Sequence, residues 1–266
     1  MAGKTLIAWT DHTANFWMGC MKVSEGCRNC YAETLTRDRM GLAVWGPPKT
    51  TERKATANVY GNLRGWNKEV ERGIPGIRGE ERHLVFVGSL MDWAEDHPQL
   101  VPLRERMWEA IRKMHGLDFQ LLTKRPERIR ELLPSFWPEI RNRVWMGTSI
   151  EDMRVAERAD HLRDIDAAVR FVSYEPALGP LDELDLTGLD WIIFGGESGP
   201  GYRKADIAWA HSMRARCDAA GVTFFFKQSS APRTEMGIDA LGEIVRMFPT
   251  PRVYPSGEPA AISLTL

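Results

Sequence analysis

The stretch Phe119-Gln120-Leu121-Leu122-Thr123-Lys124-Arg125-Pro126 is a short apolar run that stops abruptly in charge. A run of that length, ending in polar residues and a proline, reads as a strand covered on both faces that opens onto a loop. The same form recurs at Leu84 to Ser89, Val144 to Thr148, Val169 to Ser173, Trp191 to Gly195 and Val222 to Lys227, with longer segments of helical period between. An earlier strand is expected around Thr13 to Met18. The pattern predicts an α/β protein, a partial or closed (β/α) barrel of about six to seven parallel strands.

Helix ends carry their own signals. Ser149 stands three residues before Asp152 and is placed to cap a helix, and Gly221 follows Ala220 at an expected helix end. We read 1–266 as one barrel domain with an insertion over 40–83, where barrel period is lost. An irregular tail is expected over 246–266, where Pro249, Pro251, Pro255 and Pro259 cluster.

With 43% hydrophobic and 27% charged residues and a formal charge of −1, the chain has the composition of a globular protein with no global pull toward nucleic acid. Any such contact needs a local basic patch. The longest apolar runs, such as Val222 to Phe226, are too short to span a bilayer, and no secretory signal is recognisable. The expected location is the cytoplasm. Four cysteines in 266 residues do not make a disulfide framework.

Three of the four fall in Gly19-Cys20-Met21-Lys22-Val23-Ser24-Glu25-Gly26-Cys27-Arg28-Asn29-Cys30-Tyr31, a C-x6-C-x2-C spacing. Three thiolates so close can hold one soft-metal centre and leave a coordination position open. That suits an iron–sulfur cluster, or a zinc that takes a fourth ligand from elsewhere, His12 or less readily Cys217. Cys217 shares an expected helix face with Ile207, Ala210 and Met213, which favours a small core residue.

In parallel barrels the chemistry gathers at the C-terminal ends of the strands. Here those ends read Ser89-Leu90-Met91-Asp92, Thr123-Lys124-Arg125, Ser149-Ile150-Glu151-Asp152, Ser173-Tyr174-Glu175-Pro176, Gly195-Gly196-Glu197-Ser198-Gly199 and Lys227-Gln228. Lys124, Arg125, Glu175 and Lys227 are candidates to bind an anionic substrate or move protons, and Lys124, Glu175 and Lys227 are the expected catalytic residues. The 40–83 stretch interleaves Lys49, Arg53, Lys54, Arg64, Lys68, Arg72, Arg78 and Arg82 with Trp45, Tyr60 and Trp66. Such a mix suits phosphates and a stacked base, or a solvated lid with aromatic anchors.

Gly26-Cys27-Arg28-Asn29-Cys30-Tyr31-Ala32-Glu33 and Leu121-Leu122-Thr123-Lys124-Arg125 resemble motifs of the radical S-adenosylmethionine (SAM) superfamily, in the branch that contains spore photoproduct lyase. The chain as a whole resembles a phage and prophage family with the same three-cysteine loop. Its shared blocks match Phe171 to Pro176, Gly195 to Pro200 and Phe225 to Gln228. The common radical SAM loop has three residues between its first two cysteines; this chain has six, with Asn29 where an aromatic is usual.

The resemblance implies a [4Fe–4S] cluster on Cys20, Cys27 and Cys30, with SAM on the open iron, a 5′-deoxyadenosyl radical as product, and a reductase or a flavodoxin- or ferredoxin-type protein as electron donor. It implies hydrogen abstraction or isomerisation, and DNA or a nucleotide as substrate. By barrel position Ser89 and Asp92 are the expected contacts to the methionine end of SAM, with Ser149 as a further cofactor contact if it is not a cap. No SAM role passes to Glu197, because its Gly-Gly-Glu segment follows the sixth strand rather than the second. The alternative expectation is a non-catalytic binding module for nucleic acid or protein on a degenerate barrel, stabilised by zinc or an iron–sulfur cluster.

Overall fold

The computed structural model describes residues 5–79 and 82–255. Nine strands form within them: β1 (His12–Ala14), β2 (Trp17–Met18), β3 (Lys54–Ala55), β4 (His83–Val87), β5 (Leu117–Thr123), β6 (Val144–Ser149), β7 (Val169–Tyr174), β8 (Trp191–Gly195) and β9 (Thr223–Gln228). Seven make one sheet in the order β1-β4-β5-β6-β7-β8-β9, every pair parallel. The sheet curls into a half-barrel whose edge strands β1 and β9 do not pair with each other among the described residues. Seven helices accompany it: α1 (Tyr31–Thr34), α2 (Val59–Glu71), α3 (Leu100–Lys113), α4 (Ile129–Leu132), α5 (Trp137–Ile140), α6 (Arg158–Arg163) and α7 (Ile207–Ala220).

The expected strand over Thr13 to Met18 is divided. β1 ends at Ala14, and Trp17–Met18 leaves the sheet to pair antiparallel with β3. Asn15 causes the break, since its side chain donates to Ser89 Oγ (2.8 Å) and accepts from the Leu90 amide (2.7 Å) at the end of the neighbouring strand. Its side chain takes the place of further ladder bonds.

The 40–83 stretch contains β3 and α2. Val59, Leu63 and Trp66 lie at i, i+4 and i+7 of α2 and are buried in the core, so the helix packs on the sheet beside β4 and β5. α7 begins with Asp206, whose carboxylate accepts from the Ala208 amide (2.9 Å), and ends at Gly221 with φ +69°. Ala210, Met213 and Cys217 are its buried face, as the spacing predicts.

Period-two alternation divides the strand residues between two cores. Val85, Val87, Phe119, Leu121, Met146, Val172, Ile192, Phe194, Phe224 and Phe226 face the helices. Leu84, Phe86, Trp145, Phe171, Trp191, Ile193 and Phe225 fill the concave side, joined by Trp9 from the segment before β1. Trp191 sits edge-on to Trp145 (5.6 Å between centroids) and to Phe225 (5.8 Å). The tail over 246–255 backs this aromatic cluster: Phe248 packs on Trp191 (5.4 Å), and Trp191 Nε1 donates to the Met247 carbonyl (3.0 Å). The expected tail residues 256–266 lie outside the described residues.

The cluster occupies the half of the interior nearer the strand N-termini. Gly147 is what lets it close, because a Cβ there would sit 2.3 Å from the Phe171 ring. Gly147→Ala should lower unfolding stability by about 1–3 kcal/mol through overpacking; urea denaturation checks this, and an unchanged midpoint would contradict it.

Candidate active site

Above the aromatic cluster the interior opens into a cleft of about 980 Å³ at the strand C-termini. Cys20, Cys27, Cys30, Ser89, Asp92, Lys124, Ser149, Glu175 and Lys227 all line it. The topology thus gathers these nine residues in one place. Lys124, Ser149, Glu175 and Lys227 reach it because each continues the inward-facing alternation of its strand past the apolar residues, Lys124 and Lys227 by one step and Ser149 and Glu175 by two.

The cysteine segment enters directly after β2 and is fastened by buried carboxylates. Glu95 Oε1 accepts from the Met21 amide (2.8 Å), and Glu95 is itself paired with Arg53 in a fully buried ion pair (2.7 Å). Arg125 donates to the Met21 carbonyl (2.7 Å), to Asp92 Oδ2 (2.7 Å) and to Cys20 Sγ (3.6 Å). Ser24 Oγ donates to Glu151 Oε1 (2.8 Å), and a Cβ on Gly26 would collide with the same carboxylate at 2.2 Å. Asn29 Nδ2 donates to Glu197 Oε2 (3.0 Å), and Arg203 bridges Glu197 to Glu25 (3.0 Å).

These contacts revise several expectations. Asp92 lines the cleft, but its carboxylate accepts from Thr123 Oγ1 (2.6 Å), the Ala94 and Lys124 amides and Arg125, and so is spent on the protein. Arg125 is buried against Cys20 rather than offered to a substrate. Ser149 does not cap a helix: it ends β6, and the cap is Asp152, whose carboxylate accepts from the Arg154 amide (3.0 Å). Arg53 is enclosed with Glu95, and Arg78 and Arg82 pair with Asp118 (3.2 and 2.6 Å). Of Trp45, Tyr60 and Trp66, Trp45 lines the cleft; Trp66 stacks on His12 and Tyr60 lies under Arg106.

His12 is no fourth ligand for the cysteines. It starts β1, at the opposite end of the strand from the cleft, and hydrogen-bonds to His83 (3.0 Å). Cys217 is enclosed in the helix-facing core. Among the described residues, one group of three or more His, Cys, Asp or Glu side chains has its ligand atoms all within 4.8 Å of one another, and it is His12, Glu69 and His83. The three cysteine sulfurs are therefore spread more widely. A tetrahedral zinc with Zn–S near 2.3 Å requires sulfurs about 3.8 Å apart. The three cysteines line one cleft with no fourth cysteine beside them among the described residues.

Electrostatics at the loop are set by burial. It pushes the Cys20 and Cys30 thiols up; at Cys20 the Asp92 charge adds to the effect and Arg125 opposes it. Burial also pushes Glu197 up, but hydrogen bonds from Arg203 and Asn29 outweigh it and hold the carboxyl below the ordinary range. Facing the loop across the cleft, Lys227 Nζ donates to Glu175 Oε1, and Lys124 Nζ lies 3.4 Å from Glu151. Glu151 and Glu197 stand in the strand-end blocks read from the sequence, but their pairing with the cysteine loop, and that of Asn15 with Ser89, is visible only in the structure. The one hint in the sequence is their position within a few residues of strand ends.

A family model described as "Protein of unknown function" (DUF5131) matches residues 4–244. The chain belongs to that family. No curated protein sequence matches it. Two solved structures are similar, both of spore photoproduct lyase. One is a double mutant with bound AdoMet and dinucleoside spore photoproduct (TM-score 0.46, 13% identity, 78% of this chain and 61% of that one). The other is the complex with dinucleoside spore photoproduct (TM-score 0.42, 13% identity, 77% and 58%). The chain spans about three fifths of the length of these structures. No helix among the described residues is long and apolar enough to cross a membrane.

Because the Glu197 carboxyl titrates lower in the folded chain than in the unfolded one, its latch is fully present above the ordinary glutamate range and is lost as pH falls through the depressed folded value. Glu197→Ala should raise amide hydrogen exchange over residues 25–30 by about tenfold or more at neutral pH, as expected for losing hydrogen bonds to a charged group. In the unsubstituted chain the same amides should lose protection only on acidification. Equal exchange in both chains at neutral pH would remove the latch from the account.

Proposed function

We propose that the DUF5131 chain is a radical SAM-like iron–sulfur enzyme acting on an anionic substrate, in the first instance a nucleic-acid base or nucleotide. The observation that carries this reading is the meeting of Cys20, Cys27 and Cys30 with Lys124, Glu175 and Lys227 around one cleft at the strand C-termini. The sequence resemblance supplies the chemical class. A cluster on the three thiols, with SAM on its open position, would supply a 5′-deoxyadenosyl radical for hydrogen abstraction.

The chain's own residues have separable tasks. Arg125, held by Asp92, donates to Cys20 Sγ and favours its thiolate. Ser89, Ser149 and Ser173 line the walls and offer hydroxyls to a polar cofactor. Lys227 Nζ donates to Glu175 Oε1 on the cleft wall, where the pair is placed to exchange a proton with a substrate atom. Phe86, Trp9 and Leu122 form an apolar floor that excludes water from the reacting atoms. Arg39 and Arg233 line the same cleft and make no ion pair among the described residues, which leaves them for substrate phosphates. A phage setting and a flavodoxin- or ferredoxin-type donor belong to this reading as well.

Protein prepared without oxygen should carry about four irons and four sulfides per chain, lose them in Cys27→Ala, and release 5′-deoxyadenosine from SAM on reduction. Stoichiometric zinc without sulfide would refute the radical chemistry and leave a binding module in its place. A fluorescent single-stranded oligonucleotide should bind with salt-dependent affinity, reduced about tenfold by Arg39→Ala with Arg233→Ala; salt-independent binding, or none, would remove nucleic acid as substrate.

A further inference from the structure

The opposite end of the barrel holds a second group of ligating side chains with no part in the cleft. His12 opens β1, His83 opens β4, and Glu69 lies in the last turn of α2 where that helix crosses between them. His12 Nε2 lies 3.0 Å from His83 Nδ1, and Glu69 Oε2 lies 4.0 Å from each of those nitrogens. A point equidistant from the three atoms is about 2.2 Å from each, at the edge of the metal–ligand range of about 2.0–2.2 Å for imidazole and carboxylate.

The surroundings orient the two rings as a metal site requires. His83 Nε2 is 2.9 Å from the Ile74 carbonyl, which can only accept, so the ring proton is on Nε2 and the Nδ1 lone pair accepts from His12 Nε2, whose proton an incoming ion would displace to the other ring nitrogen of His12. A ligating histidine that donates its other nitrogen to a backbone carbonyl is the usual outer-shell arrangement. The indole of Trp66 stacks on His12 at 4.3 Å and 7°, fixing the second ring. The Glu69 carboxylate has no hydrogen bond among the described residues and is 40% exposed, so an ion there would keep an open side for water. Nearby Asp11 is not a competitor, since its oxygens accept from the Ile77 and Leu84 amides (2.5 and 2.8 Å).

We propose that His12, His83 and Glu69 form a divalent-metal site of the zinc class, with water completing the coordination. Two neutral imidazoles and one carboxylate are a nitrogen–oxygen donor set suited to zinc and poor for calcium or magnesium. Its position among the strand N-termini makes it a clamp: one ion would tie β1, α2 and β4 together beneath the aromatic cluster.

The test uses the full chain with Cys20→Ser, Cys27→Ser and Cys30→Ser, so that thiols take no metal. Zinc titrated calorimetrically should bind at one ion per chain, raise the thermal midpoint, and bind at least tenfold more weakly after Glu69→Gln, a substitution at an exposed position. Absence of binding, or binding indifferent to both Glu69→Gln and His12→Gln, overturns the site. Should the serine chain fail to fold, copper(II) bound to the unsubstituted chain should show electron-paramagnetic-resonance coupling to two imidazole nitrogens, lost in His12→Gln. A spectrum unchanged by that substitution overturns the site equally. Neither readout depends on the cluster or on turnover, so failure here is distinguishable from failure of the cysteine-site reading.

Discussion

A parallel sheet that curls must fill its concave side, and this chain fills half of it. Trp9, Phe86, Trp145, Phe171, Trp191 and Phe225 close the end nearer the strand N-termini, with Phe248 from the tail behind them. Large rings bury more apolar area per residue than any aliphatic side chain, so a few positions suffice to exclude water there. The other half is left to residues that alternation turns inward but chemistry keeps polar: Lys124, Ser149, Ser173, Glu175 and Lys227. The cleft follows from where the aromatic residues stop, and its floor is the same surface that stabilises the fold.

The second dependence is electrostatic. Four acidic side chains at strand ends, Asp92, Glu95, Glu151 and Glu197, are almost wholly buried, and each is satisfied by arginine, amide or hydroxyl donors. A buried carboxylate left unpaired would cost several kcal/mol. Here three of them take donors from the cysteine segment itself, and Asp92 reaches that segment through Arg125. The loop, which carries a single 3-10 turn over Glu25–Cys27 between Cys20 and Cys30, is thereby bound to three strand ends at once, which is how a site on a loop acquires the rigidity of a site on a strand.

Much of this was legible beforehand, for identifiable reasons. Strands such as Trp191–Gly195 end where an apolar run meets Gly or charge, and both faces are covered, so the run itself marks the strand. Cys217 was placed by helical spacing. What the sequence concealed was pairing at a distance. Asn15 divides the first strand through Ser89 and Leu90, some seventy-five residues away. The Ser149/Asp152 spacing imitates a capping pattern, yet β6 extends through Ser149 because its ladder with β7 runs to Ser173. Arg53, Arg78 and Arg82 read as a surface patch in a basic stretch, but their partners Glu95 and Asp118 follow much later in the chain.

The long spacing between Cys20 and Cys27 can be understood in the same terms. Five of the six intervening residues, all but the exposed Val23, are engaged. Met21 gives its amide to Glu95 and its carbonyl to Arg125; Lys22 pairs with Glu33 at 2.7 Å; Ser24 reaches Glu151; Glu25 meets Arg203; and Gly26 has no Cβ where the Glu151 carboxylate passes. A loop three residues shorter would have to surrender some of these anchors, and the freed carboxylates would be buried beside thiols whose ionisation they oppose. Asn29 extends the pattern: where an aromatic would offer only packing, its amide donates to Glu197 and couples the loop to the end of β8. The six-residue spacing and Asn29 thus supply the contacts through which this loop is fastened beside the cleft.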